Sequence, residues 1–235
     1  MIMERKSDRF EKALRRGPYL FHVHTDWTDG QCSLADYCVV AKNLGFQTLI
    51  LTEHIRRKCS YDFQALLELA KEQRSVHGME IIVGVEAKIL PNGFVDVPEW
   101  VLPEIEILAI AEHAFQGDGF ALADSLIRAF KSFRNAEFAR VWVHPGLGLL
   151  KKAAPESLFQ KALQAALENE VYIEFNLRHK LPPESLSSLI PSARAVIGLD
   201  AHSIEEVKAL VEEVLYREGN VVSAAWNERG THEDR

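Results

Sequence analysis

The chain has 235 residues, of which 47% are apolar and 26% are charged, as expected of a globular protein large enough to bury a continuous core. Its net charge of −7 argues against a broad nucleic-acid-binding surface, and its three cysteines form no C-x-x-C pair, which favours free thiols in a reducing compartment. We expect one domain over 1–235, with a charged lead-in over 1–17 and a tail over 218–235. The N-terminus lacks an apolar signal core and no run is long enough to span a bilayer, which predicts a cytoplasmic protein without membrane contact.

Seven apolar runs of strand length alternate with helical patterns along the chain. The runs are 19–25, 48–54, 80–90, 105–113, 140–146, 171–177 and 193–202. Between them, Ser33 and Gly45 bound one helical pattern, Pro155 begins another, and Ser203 and Glu206 have the spacing of a capping box. The runs are mostly apolar on both faces, as in a parallel sheet covered by helices, so an α/β fold with a closed or nearly closed (β/α) barrel is predicted. An open, doubly wound sheet is the alternative.

Two pairs of ligand-type residues stand at the ends of the first and last runs. In FHVHTDWTDG, His22 and His24 share one face of the strand because alternate residues point the same way, and Asp29 follows closely. Asp200 and His202 form the second pair. A lone His-x-His is common by chance, but two such pairs at matching places indicate a shared site.

Single ligand-type residues occur at the ends of four further runs. They are His54, Glu86, His113 and His144, and with the two pairs they include six of the nine histidines. A lone histidine at a strand end is usually solvated or hydrogen-bonded, but clustered imidazoles without a cation would repel one another when protonated and stay unsatisfied when buried. Because the C-terminal strand ends of a barrel meet at the active site, the pattern predicts a metal centre with donors suited to Zn, Mn or Fe.

These motifs, in this order, resemble those of the PHP superfamily, named for polymerase and histidinol phosphatase domains. The matching stretches are HVHTDWTDG, LTEH, GVEAKILPNG, EH, VHPG and LDAH, and the resemblance runs from Tyr19 to His202. It implies a distorted (β/α)7 TIM-like barrel that holds up to three divalent metal ions at the C-terminal ends of its strands. It also implies a metal-dependent hydrolase that acts on phosphate esters.

The resemblance implies three ion sites that share nine side chains. The first site comprises His22, His24, Glu86 and Asp200; the second comprises Glu86, His113 and His144; and the third comprises Asp29, His54 and His202. Glu86 would then bridge two ions with its two oxygens. We assign catalytic roles to Glu86, Asp200 and His202.

One motif departs from the commonest family pattern, because Glu53 stands where an Asp is usual in Thr-Asp-His. Strand parity places Glu53 on the face opposite His54, so we expect it to point towards the helical layer and away from the metals.

The sixth run has a polar face that should point into the mouth of the barrel, formed by Tyr172, Glu174, Asn176 and Arg178. An arginine offers a planar fork to phosphate oxygens, so Arg178 is a candidate substrate-binding residue, and Arg56 is a second one. The alternative for Arg178 is an ordinary surface arginine. His179 is expected to be a bystander.

The function favoured by these residues is hydrolysis of a small phosphomonoester. Two ions about 3.5–4 Å apart can share a hydroxide, lower its pKa and direct it at phosphorus. L-histidinol phosphate is a substrate that the resemblance implies. The alternatives are a PHP-type nuclease or nucleotide phosphodiesterase acting on short oligonucleotides, an amidohydrolase, and a non-catalytic metal-binding PHP module.

Overall fold

The computed structural model describes residues 5–216, so the tail expected over 218–235 lies outside the described residues. The strands are Tyr19–Val23 (β1), Thr48–Ile55 (β2), Glu80–Lys88 (β3), Ile107–Ala111 (β4), Ala139–Trp142 (β5), Tyr172–Asn176 (β6) and Ala195–Gly198 (β7). The helices are Lys6–Arg16 (α1), Leu34–Asn43 (α2), Phe63–His77 (α3), Gly119–Ser132 (α4), Leu147–Lys151 (α5), Glu156–Glu168 (α6), Glu184–Ser187 (α7) and Ile204–Tyr216 (α8).

The seven strands form one sheet in which each strand pairs in parallel with the next, in the order β1 to β7. Backbone hydrogen bonds join the two edges of the sheet and close it into a barrel. Ala201 accepts from the His24 amide at 2.9 Å and donates to the His22 carbonyl at 3.1 Å, and Leu199 donates to the Phe21 carbonyl at 3.0 Å. The predicted (β/α)7 barrel is therefore confirmed, and the open doubly wound sheet is excluded.

Most strands end sooner than the apolar runs predicted. Regular pairing ends at Ala111 in β4 and at Trp142 in β5, so His113 and His144 lie just beyond it. His144 has a φ of 32° and Asp200 a φ of 54°, left-handed conformations that depart from extended strand geometry. After β5 and β7 the predicted ligands therefore lie where the regular strand has stopped.

The predicted helix boundaries follow from their caps. Ser33 accepts from the Asp36 amide at 3.2 Å and begins α2. Pro155 precedes α6, which begins at the next residue. At α8, Ser203 Oγ accepts from the Glu206 amide at 3.2 Å. The two serine side chains accept hydrogen bonds from amides in the first turn that otherwise have no partner within the helix.

Helix α1 covers the N-terminal end of the barrel. Phe10 is fully buried there, and its ring lies 5.2 Å from that of Tyr172 and 6.3 Å from that of Phe21. The prediction that Tyr172 points into the mouth is therefore wrong, because the first residue of β6 lies at the opposite end of the barrel. With this end closed, the C-terminal strand ends are left to form the site.

Within residues 5–216, every helix is too short or too polar to cross a bilayer.

Candidate metal centre

Glu86 lies at the centre of the histidine cluster and is almost completely buried. Its Oε2 atom is 3.1 Å from His54 Nδ1, 3.3 Å from His24 Nε2 and 3.4 Å from His22 Nε2. Its Oε1 atom faces a different pair of imidazoles, with His144 Nε2 at 2.9 Å and His113 Nδ1 at 3.5 Å. Each carboxylate oxygen of Glu86 therefore faces its own set of histidine nitrogens.

A second group lies nearer the solvent around Asp29. The two Asp29 oxygens are 3.3 Å from His54 Nε2 and 3.5 Å from His202 Nε2. The His24 ring stacks against the rings of His54 and His202, with centroids 4.4 Å away in both cases. The donor atoms of His24, Asp29, His54 and His202 all lie within 4.8 Å of one another. This group contains the set predicted for the third ion, with His24 added.

Asp200 completes the deeper part of the cluster. Its Oδ1 atom is 3.5 Å from His24 Nε2 and 3.7 Å from His22 Nε2. Its Oδ2 atom is 3.0 Å from His179 Nε2, and His179 lines the cleft at the mouth. His179 was expected to be a bystander, but the structure places its ring against a predicted ligand. Only its position beside Arg178, at the end of the polar face of β6, could have indicated this from the sequence.

Within residues 5–216, several buried imidazole nitrogens have no hydrogen-bond partner, and this observation tests whether the donor set suits a cation. Both ring nitrogens of His24 are unpartnered, and so are His54 Nδ1, His113 Nε2 and His144 Nδ1. Buried polar atoms in native proteins are nearly always paired, so such a concentration of unpaired nitrogens is unusual. Imidazole lone pairs and carboxylate oxygens are the donors that divalent transition metals prefer. The residues therefore fit a metal centre.

The pKa values of the fully buried residues of the cluster shift differently from those of the histidines at its rim. Burial disfavours charge on His24, but the Asp200 and Glu86 carboxylates, whose oxygens lie 3.5 Å and 3.3 Å from its Nε2, raise its pKa to about 9. Burial likewise disfavours charge on Glu86, but hydrogen bonds from His144 and other imidazoles hold its pKa well below the usual value. At the rim, burial lowers the pKa values of His54 and His113 to about 4. The rim imidazoles are therefore neutral near pH 7 with lone pairs available, whereas a cation would displace a proton from His24.

Three of the predicted ligands have left-handed backbones. His22 has a φ of 65°, and His144 and Asp200 share the positive φ described above. Such conformations cost about 1–3 kcal/mol each in residues other than glycine and persist only where surrounding contacts enforce them. They turn side chains from three different strands towards one point.

Two buried glutamates hold the loops of the centre, and each immediately precedes a predicted ligand. Glu53 accepts from the Thr25 amide at 2.8 Å and from the Thr28 hydroxyl, in the loop that carries Asp29. Glu112 accepts from the amides of Gly146 at 2.6 Å and Leu149 at 3.0 Å, in the segment after His144. Parity alone did not predict this role for Glu53, because its partners come from a loop of irregular backbone.

The two predicted substrate-binding arginines both line the cleft, which has a volume of about 390 Å³. Arg178 Nη1 donates to the Asp200 carbonyl at 2.8 Å and lies 2.6 Å from His202 Nδ1. Arg56 lies at the end of the strand that carries His54, and its Nε is 3.9 Å from Asp96 Oδ2. The Arg178 guanidinium therefore touches two predicted ligands, Asp200 and His202, whereas Arg56 lines the same cleft and pairs with Asp96.

Comparison with known proteins places these residues in context. The sequence profile of the PHP domain matches residues 21–149, which is more than half of the chain. A curated relative, the DNA polymerase/3'-5' exonuclease PolX of Bacillus subtilis (strain 168), is 25% identical over 197 residues. That alignment covers 78% of this chain but only 34% of the relative, so the chain spans about a third of that protein.

Two solved structures share the fold. Histidinol phosphate phosphatase from Lactococcus lactis, solved with zinc, L-histidinol and phosphate, superposes with a TM-score of 0.55 at 13% identity, over 85% of this chain and 93% of that one. A two-domain protein of Bacteroides vulgatus ATCC 8482, described as containing a predicted PHP-like metal-dependent phosphoesterase, gives a TM-score of 0.50 at 18% identity, over 80% of this chain and 53% of that one. Because the PHP domain profile matches more than half of the chain, the chain belongs to the PHP domain family, whose barrel the two solved structures share.

Proposed function

We propose that this chain is a metal-dependent phosphoesterase that hydrolyses a small phosphomonoester. The proposal rests mainly on the position of Glu86, because its two carboxylate oxygens face two separate sets of imidazoles. A carboxylate so placed can bridge two cations and offset their mutual repulsion. The resemblance of the fold to a histidinol phosphate phosphatase supports a phosphomonoester of similar size, including L-histidinol phosphate.

The ions would be held by the nine predicted side chains, which all lie in one cluster. These are His22, His24, Asp29, His54, Glu86, His113, His144, Asp200 and His202. We propose up to three divalent ions, Zn, Mn or Fe, as the donor chemistry favours. When bound, such ions activate water for attack on phosphorus and stabilise the negative charge that develops. The catalytic roles proposed for Glu86, Asp200 and His202 are to hold and orient that centre.

Of the two arginines that line the cleft, Arg178 is the better placed to orient the phosphate. His202 can offer Nε2 to a cation only when its proton is on Nδ1, where it would donate to the Asp200 carbonyl 3.1 Å away. The Arg178 Nη1 donor lies 2.6 Å from the same Nδ1. Two donors cannot face each other, so ligation through His202 Nε2 would turn Arg178 towards the cleft. There its planar fork suits two phosphate oxygens, and Arg56 would add positive charge.

A second candidate activity, hydrolysis of a nucleotide phosphodiester, is favoured by the PolX relative. The net charge of −7 favours a small substrate, and a short oligonucleotide remains the nucleic-acid alternative. Release of phosphate from phosphomonoesters should exceed cleavage of bis-p-nitrophenyl phosphate and short oligonucleotides. Cleavage of the diesters or oligonucleotides with no activity on any monoester would replace the leading proposal with the second.

Each of the nine predicted ligand positions carries a ligand-type residue, which argues against a non-catalytic metal-binding module.

The three cysteines are all free, which supports the proposed cytoplasmic location.

We expect metal-replete protein to contain about three divalent ions per chain. The reason is that two buried carboxylates, Glu86 and Asp200, and the more exposed Asp29 lie among imidazoles, several of whose nitrogens have no hydrogen-bond partner among residues 5–216, and an uncompensated buried charge is costly. Plasma mass spectrometry on protein purified with its native metals measures the ratio. Protein that stays below about one ion per chain after saturation with zinc, manganese and iron would contradict the expectation.

A further inference from the structure

Glu174 is a fully buried carboxylate that is not among the predicted ligands, yet it touches two of them. It lies in the middle of β6 on the face that points into the barrel. Its Oε1 atom is 2.6 Å from His22 Nδ1. Its Oε2 atom accepts from the backbone amide of His144 at 2.5 Å and from Asn176 Nδ2 at 2.9 Å. Both carboxylate oxygens are therefore engaged by donors.

We propose that Glu174 is a positioning residue of the metal centre, which fixes the tautomer of His22 and the backbone of His144 at the same time. This inference rests on the proposed metal centre and adds a residue to it.

The tautomer of His22 follows from the contact with Glu174. A carboxylate only accepts, so the nitrogen that faces it, Nδ1, must carry a proton. The other nitrogen, Nε2, points towards Glu86 Oε2 at 3.4 Å and Asp200 Oδ1 at 3.7 Å. A hydrogen bond from one imidazole nitrogen to a carboxylate orients the ring and leaves the opposite nitrogen to bind a metal. Glu174 therefore presents Nε2 of His22 to the centre.

The backbone contact of Glu174 acts on a second ligand. His22 and His144 both have positive φ values, 65° and 32°, which residues other than glycine rarely adopt. Surrounding contacts must enforce such conformations. Glu174 binds the side chain of the first and the amide of the second, and it thereby ties β1 and β5 to β6 across the barrel.

Gly198 on β7 provides the space that this arrangement needs. A Cβ atom at position 198 would lie 1.7 Å from Glu174 Oε1 and 2.6 Å from its Cδ. Any side chain there would displace the carboxylate from His22. Glu174 is therefore fixed by its neighbours and cannot be exchanged for a side chain of different hydrogen bonding without consequence.

Replacing Glu174 with glutamine separates a positioning role from a merely space-filling one. Glutamine has nearly the same shape but offers one acceptor oxygen where Glu174 offers two. If its nitrogen faces His22 Nδ1, the imidazole must move its proton to Nε2 and cannot bind a metal. If its nitrogen faces the His144 amide, two donors are opposed and that loop is displaced.

The test is the zinc affinity of metal-stripped protein, measured by competition with a chromophoric chelator. We expect Glu174→Gln to weaken the affinity by about 10- to 100-fold, the range typical of groups that orient metal ligands. Gly198→Ala should act in the same direction, because it moves the carboxylate without removing it. Glu106→Gln is the matched control. Glu106 is also buried and accepts a hydrogen bond from a backbone amide, but that amide belongs to Val83, which is not a predicted ligand. Its zinc affinity should stay within about twofold of wild type, and thermal unfolding of the metal-stripped proteins establishes that each variant is folded.

A second measurement needs no variant of Glu174. In zinc-loaded wild-type protein, long-range ¹H–¹⁵N spectra should show His22 protonated at Nδ1 and bound through Nε2, with the signal assigned by its loss in His22→Gln. A proton on Nε2 of His22, or a folded Glu174→Gln variant with wild-type zinc affinity, would overturn the positioning role. Wild-type protein that binds no zinc would overturn the metal centre itself, so the two failures are distinguishable.

Discussion

Glu86→Gln should lower turnover by more than about 100-fold while leaving the fold intact. The structure places five imidazoles around this one carboxylate, three facing Oε2 and two facing Oε1. Glutamine keeps the size but removes the charge and turns an amide nitrogen towards one of the two sets. At least one bridged ion should then be lost or misplaced. The expected loss exceeds the 10- to 100-fold typical of groups that only orient ligands, because a shared ligand is removed.

Metal analysis, circular dichroism and phosphatase kinetics on one preparation of the Glu86 variant test this expectation. Glu106→Gln, a buried carboxylate outside the centre, provides the control for loss of a buried charge. A folded Glu86→Gln variant with full metal occupancy and near-normal turnover would show that Glu86 is not the bridge, and the assignment of the three sites would have to be redrawn.

Arg178→Ala should lower kcat/KM roughly 30- to 900-fold, which corresponds to a loss of about 2–4 kcal/mol of transition-state stabilisation, while the metal content stays near that of wild type. The physical reason is the loss of a two-pronged, charged hydrogen-bond donor at the edge of the cleft. Arg178→Lys keeps the charge but loses the planar fork, so it should recover only part of the activity.

The structure also requires a control for a structural effect of Arg178, because its guanidinium touches the Asp200 carbonyl and the His202 ring. Metal content measured beside the kinetics separates the two, since a fall in both would indicate a damaged ion site. Arg128→Ala, on an exposed helix face where the guanidinium pairs with Asp124, should leave the kinetics unchanged. Unchanged kinetics for Arg178→Ala would make it an ordinary surface arginine.

Much of the fold could be predicted because its signals are local. Apolar runs of strand length and capping residues such as Ser33 act over a few residues, and the structure confirms the barrel that they indicate. The residues at which the strands end were harder to predict, because the apolar pattern continues past the point where the backbone leaves the extended conformation. His144 and Asp200 show this, since each extends a predicted strand and yet has a left-handed φ.

The predicted ligands were found by their positions at strand ends, and their roles as ligands stay predictions. The residues that support them could not be found in that way. Glu174, Glu112 and His179 act through contacts with residues about 20 to 150 positions away in the chain. Alternation along β6 placed Glu174 on the face that points into the barrel, but the contacts themselves depend on how strands and loops of irregular backbone meet at the mouth.

Metal-dependent hydrolysis of a phosphomonoester is tested most directly on one preparation purified with its native metals. This preparation is analysed for metal content and screened with phosphomonoesters, phosphodiesters, short oligonucleotides and amides before and after treatment with a chelator. We expect about three ions per chain and release of phosphate from at least one phosphomonoester. The activity should disappear with the metal and return when zinc, manganese or iron is restored. Hydrolysis of an amide with no activity on any phosphate ester, or hydrolysis of phosphate esters that persists in fully metal-free protein, would contradict this function.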